Sequence, residues 1–177
     1  MIKMLYLGAD PGLSGGLAVV AVTDRTATPI VAPALVEAID IPVTGTGAKE
    51  RVDVAAIRDF IDQHRPTYAL IERAGAHPGQ GVSSTFKFGR ATGAIEAAIA
   101  LCAVPMEIVE PSVWKKFYKL PGKDKEAARQ RAIQLFPNAH AMLARKGWHG
   151  RAEASLIALY GAETPTPART DAPGSPN

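Results

Sequence analysis

The sequence begins with two short apolar runs that are separated by a glycine-rich connector. The first run ends at Asp10, the connector 11–16 contains three glycines, and the second run begins at Leu17. Short apolar runs bounded by Gly and Pro are typical of β-strands, and this connector predicts a hairpin. A carboxylate at a buried strand end costs free energy unless a cation or a donor meets it. Asp10 is therefore a candidate functional residue, although Asp-Pro-Gly is also an ordinary turn sequence.

The length and composition favour one globular domain. The chain has 177 residues, of which 47% are hydrophobic. We expect a folded domain over 1–162, followed by a disordered tail over 163–177 that is rich in Pro, Thr and Ala. No apolar run approaches the roughly 20 residues of a membrane helix, and we expect neither a signal peptide nor a membrane partner. The lone Cys102 rules out an internal disulfide and fits a reducing compartment such as the cytoplasm.

Hydrophobic periodicity and turn residues predict the elements that follow the hairpin. They are a third strand within 29–41, a loop over 44–47, a helix capped by Asp53 and ending at His64, a strand over 68–72, a helix over 83–101, a strand over 105–109, a short helix or turn from Pro111, and helices over 123–136 and 150–160. The order strand, strand, strand, helix, strand implies an α/β fold with a mixed sheet and at least one parallel crossover. The glycine-rich segment 73–82 predicts a mobile loop directly after Glu72.

Three acids are candidates for a shared site. Asp10 and Glu72 each end a predicted strand, and Glu153 lies in the last predicted helix, one turn after His149. Strand-end acids of such a sheet can converge on one edge, and three carboxylates in one place require a cation. Mg²⁺ and Mn²⁺ suit oxygen ligands, and two such ions would activate a water and stabilise the leaving oxygen of a phosphodiester.

Positive charge is concentrated in one segment. Ten basic residues and two acids give 111–151 a net charge of +8, which leaves −5 for the rest of a chain whose total is +3. A basic segment of this kind favours a polyanion partner, with nucleic acid first. The alternative is a set of helix faces that are merely solvated.

The motifs together resemble those of a known family. The resemblance is carried by Gly8-Ala9-Asp10-Pro11-Gly12 with Gly15-Gly16, by Ile71-Glu72, by 111–116 (PSVWKK), by 122–126 (GKDKE) and by 149–154 (HGRAEA). Over about 3–161 these resemble the RuvC Holliday-junction resolvases, most closely the short phage and prophage types. The resemblance implies a ribonuclease H-like mixed five-stranded sheet flanked by helices. It also implies a homodimer and Mg²⁺- or Mn²⁺-dependent nicking of branched DNA, with no small-molecule cofactor.

The resemblance also implies roles for individual residues. The implied catalytic residues and metal ligands, for two ions per site, are Asp10, Glu72, His149 and Glu153. The implied DNA-binding residues are Lys115, Lys116, Lys119, Lys123, Lys125 and Arg151.

Two departures from the family pattern affect these assignments. The short relatives commonly carry an acid at the position of His149, so that a histidine ligand is a departure. RuvC proteins can also place an aromatic residue after the second acid to disturb the base pairs of the junction. The loop after Glu72 has none, which leaves His77, Phe86 or Phe88 as substitutes. For Phe86 and Phe88 we favour core packing.

Other functions fit the sequence less well. A sugar-kinase or actin-like ATPase also begins with an acid and a glycine-rich hairpin, but it needs a second domain to enclose the nucleotide. A P-loop is excluded because no Gly-Lys-Ser/Thr follows the glycines. The remaining alternative is a non-catalytic binder of branched DNA with the same fold.

For the homodimer, Gly89 and Gly93 on the long helix predict close approach of a second helix, although they would also suit packing against the sheet.

Overall fold

The computed structural model describes residues 3–23, 32–75, 79–120 and 124–164. The strands are β1 (Lys3–Asp10), β2 (Gly16–Thr23), β3 (Ala34–Asp40), β4 (Val43–Thr44), β5 (Arg51–Val52), β6 (Tyr68–Glu72) and β7 (Met106–Val109). The helices are α1 (Val54–His64), α2 (Val82–Leu101), α3 (Pro111–Phe117), α4 (Lys125–Leu135), α5 (His140–Leu143) and α6 (His149–Glu163). Three-residue 3₁₀ turns lie at Gly47–Lys49 and Pro137–Ala139.

The main sheet has five strands in the order β3-β2-β1-β6-β7. β1 pairs with β2 and β2 with β3 in antiparallel fashion, whereas β1 pairs with β6 and β6 with β7 in parallel. The predicted opening hairpin and mixed sheet are therefore confirmed. The parallel pairs are reached through α1 and α2, because a parallel neighbour requires a crossover connection.

Alternate residues of β1 serve two hydrophobic cores, one on each face of the sheet. Leu7 packs in a cluster with Ile57 of α1 and Ile95 of α2. Tyr6 belongs to the other cluster, which includes Leu156 of α6 and residues of α3 to α5. This two-residue alternation is the strand period itself, so the central strand is buried on both sides. The result is three layers, with α1 and α2 on one face and α3 to α6 on the other.

Capping side chains define where two helices begin. Asp53 accepts a hydrogen bond from the N–H of Ala56 at 3.1 Å, which confirms the predicted cap of α1. Asp124 accepts from the N–H groups of Glu126 and Ala127 at 2.9 and 3.1 Å. A capping residue precedes the first helical residue, so α4 begins at Lys125 rather than at the predicted position 123.

The structure differs from the predicted elements in three places. The loop predicted over 44–47 is the tip of a small hairpin formed by β4 and β5. The short helix α5 and the turn before it were not predicted, since four-residue elements carry too little periodicity. The last helix, predicted over 150–160, is longer, since α6 runs from His149 to Glu163.

Several predictions fall outside the described residues. These are the first part of the predicted third strand (29–31), His77 within the glycine-rich loop, Lys123, and the tail from residue 165 onward. Within the described residues, no helix is both long and apolar enough to cross a membrane.

Candidate active site

Asp10 and Glu72 lie side by side at one edge of the sheet. They are the last residues of β1 and β6, whose parallel register pairs Ala9 with Ile71 immediately before them. The carboxyl ends of parallel strands meet at the same edge, which is where open α/β sheets place their sites. The predicted convergence of these two acids follows directly from this register.

Close packing of α6 on the opening hairpin brings the third acid to the same edge. A methyl group on Gly8 would collide with the carbonyl oxygen of Ala154, and one on Gly16 would collide with the backbone of Gly150. Glycine is required at both positions because only a backbone without a Cβ allows α6 to lie this close to the strands. Glu153, one residue before Ala154, is thereby held beside the end of β1 and is only 4% exposed.

The three acids line one open cavity of about 630 Å³, here called the acidic cavity. Its other lining residues come from the connector after β1, from the small hairpin, from α2 and from the basic segment. They are Pro11, Gly12, Leu13, Ser14, Gly15, Glu50, Ser84, Lys87, Phe88, Lys115 and Lys125. Glycine at position 12 has a φ of +121°, a backbone conformation that other residues rarely adopt.

Burial and mutual repulsion disfavour the charged forms of the acids. Burial raises the pKa of Asp10 well above its usual value, and the negative charges of Glu153 and Glu72 raise it further. The pKa of Glu72 is also raised, mainly by burial, although the hydrogen bond from Trp114 and the charge of Lys115 oppose this. An arrangement of this kind is stabilised by a cation, which removes the repulsion.

A lysine ammonium lies against one of the acids. The Nζ atom of Lys115 is 3.2 Å from Oε1 of Glu153, and both side chains are largely buried. Among the described residues, no three His, Cys, Asp or Glu side chains are grouped closely enough to form a ready metal site. The donor set around the cavity nevertheless consists of carboxylate oxygens, which is the chemistry that Mg²⁺ and Mn²⁺ prefer.

Trp114 is a site residue that sequence reasoning missed. Its side chain is fully buried, and its indole Nε1 donates a hydrogen bond to Oε2 of Glu72 at 2.7 Å. The bond holds one carboxylate oxygen and leaves Oε1 available to another ligand. The sequence signal was a tryptophan inside the basic PSVWKK motif, but local periodicity does not predict a partner 42 residues away.

His149 is one helical turn before Glu153, as predicted, but it does not line the acidic cavity. Its Nδ1 atom is buried without a hydrogen-bond partner among the described residues. The pKa of Glu126 on α4 is lowered to about 2, first by the hydrogen bonds that it accepts from Arg129 and Gln130 and then by the charges of Arg129 and His149. The structure therefore brings Asp10, Glu72 and Glu153 together and leaves His149 beside α4.

The predicted DNA-binding residues fall into three groups. Lys115 and Lys125 line the acidic cavity itself. Lys116 and Lys119 line a neighbouring groove of about 710 Å³, which Lys115 shares. Arg151 is engaged within the protein, since it donates two hydrogen bonds to Asp40 at 2.7 and 2.8 Å and stacks on Trp148.

The two candidate aromatic residues lie in different surroundings. Phe86 is 65% exposed, so the core packing that we favoured for it is wrong. Its ring contacts the guanidinium of Arg90, 5.8 Å from the ring centroid. Phe88 is half-buried, lines the acidic cavity and packs against Gly12.

Two solved structures match most of this chain. One is a T. thermophilus RuvC in complex with a Holliday junction substrate, with a TM-score of 0.65, 22% identity, and coverage of 90% of this chain and 93% of that one. The fold is that of RuvC. The other, a Thermus thermophilus RuvC structure, has a TM-score of 0.58, 21% identity, and coverage of 90% and 95%. The predicted resemblance to RuvC and the ribonuclease H-like mixed sheet flanked by helices are thus confirmed.

Searches by sequence find no comparable match. No protein-family model matches the chain, and no curated protein matches it either. The likeness to RuvC is therefore one of fold, and the chemistry has to be argued from the residues of the acidic cavity.

We expect Asp10→Asn to stabilise the protein without added metal at neutral pH. The raised pKa of Asp10 means that the folded state binds a proton more tightly than the unfolded state. Stability is therefore lost as pH rises from the ordinary Asp value of about 3.9 through the raised pKa, and an uncharged Asn avoids that loss. Thermal melts in EDTA at pH 7.5 should show a midpoint at least about 2–4 °C higher, which is about 1 kcal/mol for this size.

The difference in melting midpoint should shrink to near zero at about pH 3, where Asp10 is largely protonated in both states. The matched control is Asp62→Asn, because the side chain of Asp62 is 65% exposed. Its melting midpoint should differ little from that of wild type. An Asp10→Asn variant that melts below wild type at neutral pH would show that the Asp10 charge is satisfied within the protein.

We expect Trp114→Phe to weaken metal binding because it removes the donor to Glu72 while keeping an aromatic ring in the core. Loss of such an orienting hydrogen bond typically costs about 10- to 100-fold in metal affinity. Electron paramagnetic resonance of free Mn²⁺ gives the dissociation constant directly, without a cleavage assay. The control is Trp148→Phe, since Trp148 stacks on Arg145 and Arg151 instead. Equal Mn²⁺ affinity in wild type and Trp114→Phe, in folded protein, would exclude the positioning role.

Proposed function

We propose that this protein is a metal-dependent endonuclease that resolves four-way DNA junctions by paired phosphodiester hydrolysis. The observation that carries the proposal is the convergence of Asp10, Glu72 and Glu153 on one lysine-lined cavity. Support also comes from the fold, which is shared with a RuvC whose structure contains a Holliday junction substrate.

The acidic cavity suits a pair of divalent cations. Asp10, Glu72 and Glu153 would hold Mg²⁺ or Mn²⁺, and bound there the ions supply an activated water and stabilise the leaving oxygen. Trp114 keeps the Glu72 carboxylate oriented through its hydrogen bond at 2.7 Å. The buried position of Glu153 restricts water access and strengthens its interactions with bound charge.

The lysines of the basic segment would contact the phosphates of the DNA. Lys115 balances the charge of Glu153 in the protein alone, and its ammonium is within reach of a phosphate in the acidic cavity. Lys125 lines the same cavity, while Lys116 and Lys119 line the adjoining groove and would contact phosphates further along the strand. Phosphate contacts of this kind position the duplex without reading its sequence. Lys123 belongs to the same proposed set, whereas Arg151 would have to leave Asp40 to join it.

His149 is proposed as a fourth ligand or as a group that moves a proton. From the start of α6 it could reach a cation held by Glu153, orient the attacking water, or protonate the leaving oxygen. Its Nδ1 is buried and has no hydrogen-bond partner among the described residues. Because His149 does not line the acidic cavity, these roles require its side chain to turn toward Glu153. We expect His149→Ala to slow cleavage roughly 100-fold, and wild-type rates with both metals would exclude these roles.

The second candidate function is non-catalytic binding of branched DNA. The observation in its favour is the Lys115–Glu153 ion pair, which occupies one of the proposed ligands. This function predicts binding that is insensitive to metal and no nicking of any strand. Incubation of a synthetic four-way junction with and without Mg²⁺ or Mn²⁺ separates the two functions.

We expect Asp10→Asn and Glu72→Gln to abolish cleavage and to preserve junction binding. Each change keeps the shape of the side chain but removes a charged ligand, so the rate should fall at least about 100-fold. Binding should survive because the lysines contact phosphates elsewhere. The measurements are single-turnover cleavage of a labelled junction and a gel-shift assay in Ca²⁺, with linear duplex as the substrate control and Asp62→Asn as the variant control.

Near wild-type cutting by either variant would show that its acid holds no essential metal. Cutting of linear duplex as fast as the junction would instead overturn the proposed substrate.

We also propose that α2 forms a two-fold dimer that sets one active site on each of two equivalent strands. A Cβ added at Gly89 or Gly93 would meet no atom within 4 Å, so this face of α2 is open and flat. Phe86 and Ala97 are exposed on the same helix. A flat face of small residues suits the close approach of a second helix.

We expect Gly93→Arg to convert a dimer into a monomer. The helix itself tolerates the change, since arginine is a better helix former than glycine. Light scattering at micromolar concentration should give twice the 18.7 kDa chain mass for wild type and the single mass for the variant. Ala55→Arg, on the exposed face of α1, is the control and should remain dimeric. A monomeric wild type, both alone and on junction DNA, would contradict the paired mechanism.

A further inference from the structure

A second cavity adjoins the acidic cavity beside the small hairpin. It has a volume of about 400 Å³ and lies between the β4–β5 hairpin and α2; we call it the hairpin pocket. Leu13, Glu50 and Lys87 line both cavities, so the two adjoin. A strand bound in the acidic cavity would therefore lie beside the hairpin pocket.

The floor of the hairpin pocket is apolar. It is formed by Leu13, by Val52 and Val54 of the hairpin side, and by Ala91 and Ala94 of α2. The two alanines leave the space open because larger side chains at these positions would fill it. The volume lies within the range of about 300–1,000 Å³ that is typical of small-molecule sites.

The rim of the hairpin pocket is mostly cationic. Arg51, Lys87 and Arg90 line it, and none of them forms an ion pair with an acid in the part of the chain that the structure describes. Asp53 also lines the pocket, but its carboxylate caps α1. Glu50 therefore places an exposed carboxylate, without an ion pair to any described residue, next to three cations, and the Thr44 hydroxyl is a further polar group of the lining. An apolar floor beneath such a rim matches a nucleotide, which has an apolar base face and an anionic phosphate.

We propose that the hairpin pocket holds one unpaired nucleotide that flanks the scissile phosphate. The base rests on the floor between Val52 and Ala94, and its phosphate meets Lys87 at the boundary with the acidic cavity. Glu50 accepts a hydrogen bond from the base edge, in the way that acidic side chains read exocyclic amino groups. The inference rests on the proposed function and extends it by naming a site that reads one base.

The pocket fits an extruded base and not a base pair. A paired base is stacked within a duplex, and a base pair would not fit a cavity of about 400 Å³, whereas extrusion of one base costs least where pairing is already interrupted. The centre of a branched DNA offers such interrupted pairing. Occupation of the pocket would therefore couple cleavage to the branch point and to the identity of one base.

The test uses junctions that lack a single base. Abasic sugars are placed one at a time on either side of the cleaved bond, and single-turnover cleavage is measured with Mn²⁺. At one position, wild type should cut the abasic junction about tenfold more slowly, which is typical of losing one base contact. Ala94→Leu fills the pocket without changing charge, and it should cut intact and abasic junctions at equal rates. The control is Ala55→Leu on exposed α1, which should keep the tenfold difference.

A second variant provides the same comparison if Ala94→Leu does not fold. Arg51 lies on the rim of the hairpin pocket and not in the acidic cavity, so Arg51→Ala should reduce the ratio of intact to abasic rates at least threefold. Equal cutting of intact and abasic junctions by wild type at every position overturns the inference. So does an unchanged ratio in both folded variants. In these cases junction cleavage itself persists, whereas absence of any junction cleavage by wild type overturns the proposed function as well.

Discussion

The contact between α6 and the opening hairpin is the constraint on which the rest of the structure depends. Gly8 and Gly16 present bare backbone to the helix, and Gly150 presents bare backbone in return. The helix therefore lies directly on the two central strands, and Ala154 sits against Gly8. One residue earlier, Glu153 reaches the end of β1, where Asp10 lies. Packing of the core and assembly of the acidic cavity are thus a single event.

This arrangement has an electrostatic cost that the neighbouring residues partly offset. Burial and mutual repulsion raise the pKa of Asp10 and of Glu72. Trp114 donates to Glu72, and the ammonium of Lys115 lies against Glu153. Both residues come from α3, so this short helix supplies the groups that make three clustered carboxylates tolerable. A site built in this way is poised to accept cations, because added positive charge removes the remaining repulsion.

The two faces of the sheet carry different surfaces. The face covered by α3 to α6 presents the lysines of the basic segment and the groove beside α3. The face covered by α1 and α2 presents the open glycine face of α2 and the hairpin pocket. The acidic cavity lies at the sheet edge between them. A strand of DNA bound at the cavity can consequently touch the lysine side and the hairpin pocket at once.

The sequence alone was enough to predict the five strands of the main sheet, the longer helices, the mixed pairing, and the meeting of Asp10, Glu72 and Glu153. These features are encoded locally, since strand-end acids and hydrophobic periods can be read within one segment. The tertiary structure alone decided which partners those segments meet. The Arg151–Asp40 pair joins residues 111 positions apart, and neither Trp114 beside Glu72 nor the hairpin pocket follows from any local pattern. Such contacts depend on the positions of α3 and α6 against the sheet. Those positions are determined by the packing of many side chains together and not by spacing along the chain.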